Sequence, residues 1–373
     1  MSDSDPLNVL IVGGGTAALE AAFRLRHVAE DRVDASILAP DDRFATRAMA
    51  VLSPFAVGRA PDESLARLAS EAGARLRRGR MASVDPAIRQ VLTTAGETIG
   101  YDALLIAVGA QQRVPFGHAL AFGGPGTEER MHGLVQDLED GYVRRIAFVV
   151  PPSASWPVPL YELALMTAER AHDMCATAEL TLLTPEDAPL ALFGAEASAA
   201  LTARLEADGV AVRTGVTVTV PRFGVVTMQP GGQRLSVDRI VTLPVPDGPA
   251  IPGLPRDARG FLPVDQHCRV HGVSDVYAAG DATHFPIKQG GLACQQADAA
   301  ADAIAAQAGA AIEPKPYIPR LQGVLLTERT ETFLRRVTAG EGVSEDAVDW
   351  PPSKIAGHEL ASHVGAARTA AGA

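Results

Sequence analysis

Cysteine is scarce. The 373 residues hold three, Cys175, Cys268 and Cys294, scattered along the chain. That excludes a disulfide framework and a cysteine-based zinc site, and no metal is expected. Basic charge is also short: 33 Lys and Arg against 44 Asp and Glu leave a formal charge of −11. A nucleic-acid partner needs the opposite sign, so none is expected. Aromatic residues make up only 5%, and no apolar run approaches the roughly 18 residues that a spanning helix requires. The opening Met1-Ser2-Asp3-Ser4-Asp5-Pro6 has neither the basic start nor the apolar stretch of a secretory signal. The expected setting is cytoplasmic, without stable membrane insertion.

What is present points to an α/β chain. Hydrophobic residues reach 47%, with 35 Gly and 27 Pro, and the length suits two or more domains. Asn8-Val9-Leu10-Ile11-Val12 reads as a buried parallel strand. It leads into Gly13-Gly14-Gly15-Thr16-Ala17-Ala18 and then a helical stretch. Gly13, Gly15 and Ala18 match the dinucleotide fingerprint. The first allows a tight turn, the second a close approach by pyrophosphate, and the third close packing of helix on strand. Free N–H groups at the helix start then suit phosphate. An acidic residue should close the second strand to hold a ribose. Here the segment reads Ser36-Ile37-Leu38-Ala39-Pro40-Asp41-Asp42, so the acid comes late, and Asp41 is the candidate.

The chain also repeats itself. Gly73 and Gly79 correspond to Gly209 and Gly215, and Asp102 to Asp238, at equal spacings. Each copy has short strands followed by an apolar run, and each is preceded by a strand–helix–strand unit, 8–38 and 145–184. This predicts a duplicated βαβ-plus-meander module. The second glycine loop is degenerate. Pro151-Pro152-Ser153-Ala154-Ser155-Trp156-Pro157-Val158-Pro159 places Ser155 opposite Gly13 and Pro157 opposite Gly15. Its prolines remove donors that a phosphate cradle uses, and Trp156 is expected to fill the space that a pyrophosphate needs.

Near the end comes Val276-Tyr277-Ala278-Ala279-Gly280-Asp281-Ala282, then Gly290-Gly291-Leu292-Ala293-Cys294-Gln295-Gln296-Ala297. With the first fingerprint and Ala107-Val108-Gly109-Ala110, this resembles the flavoproteins of the pyridine nucleotide-disulfide oxidoreductase superfamily. The resemblance covers residues 7 to 310. It implies two Rossmann-like domains: an FAD-binding domain split between 1–115 and 251–310, a second, degenerate NAD(P)-like domain at 116–250, and a C-terminal segment at 311–373. It further implies FAD held by the first loop, by Gly280 and by Asp281, which would bond the ribityl chain. Ala107 to Ala110 would pack near the cofactor, Val84 near the adenine, and the helix from Gly290, with Gly291 and Leu292, would face the flavin pyrimidine.

Within that superfamily, SASWPVPLYEL is similar to the segment of sulfide:quinone oxidoreductases that carries a catalytic cysteine, but here Trp156 stands in its place. Sulfide chemistry needs a thiolate. Cys294 is open to two readings, a redox thiol or a buried small hydrophobe. Gln295 and Gln296 resemble the quinone-side motif of type II NADH dehydrogenases. The resemblance puts Glu162 near the flavin, where a carboxyl could shuttle protons. Lys288 is a candidate to stabilise reduced-flavin charge, whereas His284 reads as structural. Leu321 to Leu326 reads as a strand, and Ser353 to Ala371 as an alanine-rich stretch poorly suited to a membrane interface. The expected activity is FAD-dependent two-electron transfer to a quinone or another small redox carrier. An NAD(P)H-dependent reductase and a non-catalytic flavin-binding protein remain the alternatives, and the oligomeric state is not legible.

Overall fold

Burial explains the first strand. The protein is described by a computed structural model covering residues 5–60, 62–327, 331–337, 340–344 and 359–364. Leu7–Val12 is central in its sheet, with Val9, Leu10 and Ile11 fully buried. It pairs in parallel with Val33–Ala39 on one side and Ala103–Ile106 on the other. Arg75–Arg78 and Val276–Ala278 complete the sheet at its two edges, again in parallel. A parallel sheet is covered on both faces at its centre, which is why Leu7–Val12 and Ala103–Ile106 read as apolar runs, whereas the edge strand Arg75–Arg78 is largely exposed.

The second sheet repeats this order. Arg145–Val149 is central between Glu179–Leu183 and Arg239–Thr242, with Val210–Arg213 and Leu120–Ala121 outermost. Antiparallel meanders accompany both sheets: Met81–Asp85, Gln90–Thr93 and Thr98–Gly100 in one module, Thr217–Arg222, Val225–Gln229 and Arg234–Ser236 in the other. The chain is thus the α/β protein with two Rossmann-like units that the repeat predicts.

The repeat extends to individual hydrogen bonds. Asp102 Oδ2 accepts from the Asn8 N–H at 2.9 Å, and the Asp102 N–H donates to Asn8 O at 2.8 Å. Asp238 Oδ2 accepts from the Arg145 N–H at 2.9 Å, and the Asp238 N–H donates to Arg145 O at 2.8 Å. In each copy the same aspartate clasps the start of the central strand. N–H groups of Arg145 and Arg144, with the Arg145 guanidinium, hold the Asp238 carboxyl down at about 2.

Helix contacts then join the two separated stretches of the first module. The first helix, Thr16–Ala29, packs on the late helix, Gly290–Gln307. Ala17, Ala18 and Ala21 on one and Ala293, Ala297 and Ala301 on the other are all buried in one core, and such small side chains allow close approach. The second-module helix, Val158–Asp173, carries Pro159 in its first turn, where a missing N–H costs nothing. Leu321–Leu326 is a strand, as the sequence indicates, paired antiparallel with Glu331–Val337. Val324, Leu325 and Leu326 join Met49, Phe55, Leu160 and Phe193 in the second core. The alanine-rich stretch Ser353–Ala371 lies outside the described residues except at 359–364, where Leu360–Ser362 forms a 3-10 turn. Among the described residues, no helix is long and apolar enough to cross a membrane.

Candidate functional site

Each glycine of the first loop has its own steric reason. Gly13 has φ +129°, and a Cβ there would lie 2.2 Å from Ala107 O, so only glycine lets the turn pass the Ala107–Ala110 segment. At Gly14 a Cβ would meet Leu65 Cδ2 at 2.8 Å and Ala39 Cβ at 3.0 Å. Gly15 is different: it is exposed, and a Cβ there meets nothing within 4 Å. The fold has no use for a glycine at this point, but a phosphate approaching the backbone does. Gly15 caps the first helix by backbone alone, and no acidic residue occupies the first turn. The Thr16 and Ala17 end of the helix is therefore electropositive and ready for an anion.

The late motif meets this loop. Gly280, at φ +72°, sits where a Cβ would touch Ala17 Cβ at 3.2 Å and Ala293 Cβ at 3.3 Å. The fingerprint, the Gly-Asp turn and the late helix thus converge on one glycine. Gln296 pins the turn, its Oε1 accepting from the Gly280 N–H at 2.8 Å and from Thr283 Oγ1 at 3.4 Å. Asp281, next in the chain, is half-buried. Burial raises its carboxyl, while the charges of Lys288 and Arg47 pull it down. Burial in turn brings Lys288 down to about 8, with Asp281 opposing that shift. Lys288 Nζ donates to Thr283 O and lies 3.9 Å from the Phe261 ring centroid. The structure therefore groups Gly13, Gly14, Gly15, Ala17, Ala107, Gly280, Asp281 and Lys288. Sequence reasoning missed Arg47, at the start of the 3-10 helix Arg47–Phe55, which only the folded chain carries towards Asp281.

Other predicted residues have different tasks. Asp41 is exposed beyond the second strand, and its neighbour Asp42 pairs with Arg78. Val84 is buried, and its N–H donates to Pro252 O at 3.0 Å. Val108 is 38% exposed. Gly291 is buried in the late helix, and the Leu292 N–H is already engaged, donating to Gln289 Oε1 at 2.8 Å. Gln289, a cap that sequence reasoning overlooked, also donates to Gln322 O at 3.2 Å. Gln295 departs from its expected role as a donor to a quinone. Its Nε2 donates to Arg320 O and its Oε1 accepts from the Arg320 N–H, both at 2.9 Å. His284 Nδ1 accepts from the Val264 N–H at 3.3 Å, a structural role. Cys294 is fully buried, and burial with nearby Glu20 and Asp298 raises its thiol well above the ordinary range. Of its two readings, the small hydrophobe fits and the redox thiolate does not.

The second loop turns its tryptophan onto the protein. Trp156 packs edge-on against Phe193, with centroids 5.8 Å apart, and against Gly323, where a Cβ would meet Trp156 Cη2 at 3.3 Å. Glu162 is fully buried, and its Oε1 accepts from the Leu326 N–H at 2.7 Å. The C-terminal strand is thus fastened to the second-module helix by Glu162 and to the late helix by Gln289 and Gln295. The acid that follows the second strand of this module, Glu186, is also committed. Its Oε2 accepts from Tyr161 Oη at 2.6 Å and from Thr184 Oγ1 at 2.9 Å. Burial raises its carboxyl, and these hydroxyls oppose the shift. Among the described residues, no group of His, Cys, Asp and Glu is arranged to hold a metal.

Comparison with known proteins agrees with this geometry. The sequence profile of the pyridine nucleotide-disulphide oxidoreductases matches residues 7–146 and 162–303. The interruption at 147–161 contains the proline-rich loop. Among solved structures, the sulfide:quinone oxidoreductase of Aquifex aeolicus superposes with a TM-score of 0.81 at 18% identity, covering 91% of this chain and 86% of the other. A ferredoxin reductase from Rhodopseudomonas palustris gives 0.68 at 19%, covering 90% and 83%. The NDH2 of Plasmodium falciparum, solved in complex with NADH, gives 0.61 at 14%, covering 74% and 64%. At these identities the likeness is one of fold. No curated protein matches the sequence. The profile spans most of the chain, which is therefore an oxidoreductase belonging to the pyridine nucleotide-disulphide oxidoreductase family.

Proposed function

We propose that the chain is an FAD-dependent oxidoreductase that passes two electrons through a flavin held by the first module. The observation that carries this reading is the meeting of Ala17, Gly280 and Ala293 beside a glycine loop in which, of Gly13, Gly14 and Gly15, only Gly15 is sterically open. Bound FAD supplies the two-electron redox chemistry. The chain's own groups bind and orient it. Gly15 and the first-helix N–H groups take the pyrophosphate, Asp281 accepts from ribityl hydroxyls, and Asp41 is the candidate for the adenosine ribose. Lys288 supplies positive charge below about pH 8, the sign that favours a reduced, anionic ring.

The donor does not use the second module as a nicotinamide site. Two features support this. The loop at 151–159 is rich in proline, with Trp156 turned to Phe193 and Gly323. The acid that a ribose would use, Glu186, is tied to Tyr161 and Thr184. The acceptor is a quinone or another small redox carrier. Trp156 in place of a cysteine argues against the sulfide chemistry of the Aquifex relative, because that position has no thiol to carry sulfur. Glu162 lies in the apolar core beside the C-terminal strand and is the candidate proton carrier. The test is an anaerobic titration of the flavin band with NADH, NADPH and sulfide. No rapid bleaching by any of them supports the reading. Rapid bleaching by a nicotinamide makes the chain a reductase with unconventional nicotinamide binding. A flavin that no donor reduces, reduced quinols included, marks a non-catalytic flavoprotein.

A further inference from the structure

A cluster of ionisable groups lies along the two helices that meet the cradle, beginning one turn from it. Glu20 of the first helix is fully buried. Its carboxylate oxygens accept from the N–H groups of Glu359 and Leu360, at 3.0 and 2.8 Å. These donors belong to the short segment 359–364, which is distant in sequence and packs on the first helix. Leu360 is fully buried, and His363 stacks on Phe23 with centroids 4.0 Å apart.

Among the described residues, charged groups face this contact from several elements. From the first helix come Glu20, Arg24 and His27. Arg24 pairs with Asp302 at 2.8 Å and with Glu359 at 3.4 Å, and His27 Nδ1 is 3.0 Å from Glu359. The late helix adds Cys294, Asp298 and Asp302. Beside His363 stand Glu71, at 3.2 Å, and Arg67, which bonds both Glu71 and Glu63. Asp298 Oδ1 is buried among these groups with no hydrogen-bond partner. Burial, then Glu20, Asp302 and Glu359, push its carboxyl up to about 8 against the pull of Arg24. Once Asp298 ionises, four carboxylates share Arg24 as their nearest full charge. Of the four, only Glu359 belongs to a segment outside the helix pair.

We propose that residues 359–364 form a strap on the first helix, tied through Arg24 to Asp302 of the late helix, and that ionisation of Asp298 loosens it. The sign follows from linkage. With the strap docked, Asp298 keeps its proton up to about pH 8. With the strap released, the carboxyl gains solvent and loses Glu359, so it gives the proton up earlier. The docked form therefore binds more protons, and docking weakens as pH rises towards 8 and then levels off.

Hydrogen exchange on the full-length protein tests this. Protection of the Glu359 and Leu360 amides, corrected for intrinsic rate, should fall about threefold or more between pH 6 and 8 and change little from 8 to 9. One proton allows at most about tenfold per pH unit. Asp298→Asn should remove the fall. Glu359→Gln, a change on the strap itself that leaves the helix pair intact, should reduce the fall without removing it, because burial still favours the Asp298 proton in the docked form. Glu20→Gln should lower protection at every pH. A flat wild-type profile overturns the proposal. So does a fall that persists in Asp298→Asn but vanishes in His27→Gln, because that would assign the switch to the histidine.

Discussion

Alanine at two glycines of one loop should have opposite consequences. Gly13→Ala places a Cβ 2.2 Å from Ala107 O, about 1 Å inside ordinary contact, at φ +129°. The backbone conformation costs roughly 1–3 kcal/mol, and the forced shift of Ala107 costs a similar amount. Destabilisation of about 2–6 kcal/mol is expected with or without cofactor. Gly15→Ala meets nothing within 4 Å, at φ −93°. Its effect on folding should stay within about 1 kcal/mol, the scale of a helix-cap exchange. The new methyl, however, occupies the face where the pyrophosphate should touch the backbone. Urea denaturation of the flavin-free proteins measures the first effect, and the ratio of flavin to protein absorbance measures the second. Gly15→Ala should be stable and flavin-poor, and the bulkier Gly15→Val more so. The reasoning is refuted if Gly15→Val retains full flavin, or if Gly13→Ala is as stable as wild type.

Three further outcomes are expected. Asp281→Ala should give folded, flavin-poor protein, measured by absorbance after purification; full occupancy would remove Asp281 from the cofactor site. Lys288 is charged below about pH 8 and neutral above it. Flavin reduction by a competent donor should therefore slow as pH rises through 8, and Lys288→Met should be slow and lack this step in its pH profile. Glu162→Ala leaves the buried Leu326 N–H without its acceptor and should destabilise by about 1–3 kcal/mol. Glu162→Gln keeps an acceptor and should restore much of that stability; if turnover remains lost in the restored protein, a proton role follows, and if turnover returns, the residue only anchors the strand.

The nucleotide fold was legible because its signals are local. Leu7–Val12, the glycine loop and the helix after it are adjacent in sequence, and the duplicated aspartates Asp102 and Asp238 repeat at a fixed spacing. The Gly280–Asp281 turn was readable for the same reason. The fastenings of the C-terminal strand were not. Gln295 and Glu162 carry the residue types of redox-site donors, yet their partners, Arg320 and Leu326, are set by a strand whose path the sequence does not reveal. Glu186 looks like a solvated turn acid until Tyr161 is brought to it from the neighbouring helix. Glu20 is the strongest case: on the first helix it reads as an ordinary charge, and only the return of residues 359–364 makes it a buried anchor.

The central claim is that the first module holds FAD through the glycine loop and the Gly-Asp turn. Titrating flavin-stripped protein with FAD while following flavin fluorescence tests it most directly. The account requires saturation at one FAD per chain, with binding lost in Gly15→Val and in Asp281→Ala. Failure of folded wild-type protein to bind FAD, or unchanged binding in both variants, would contradict it.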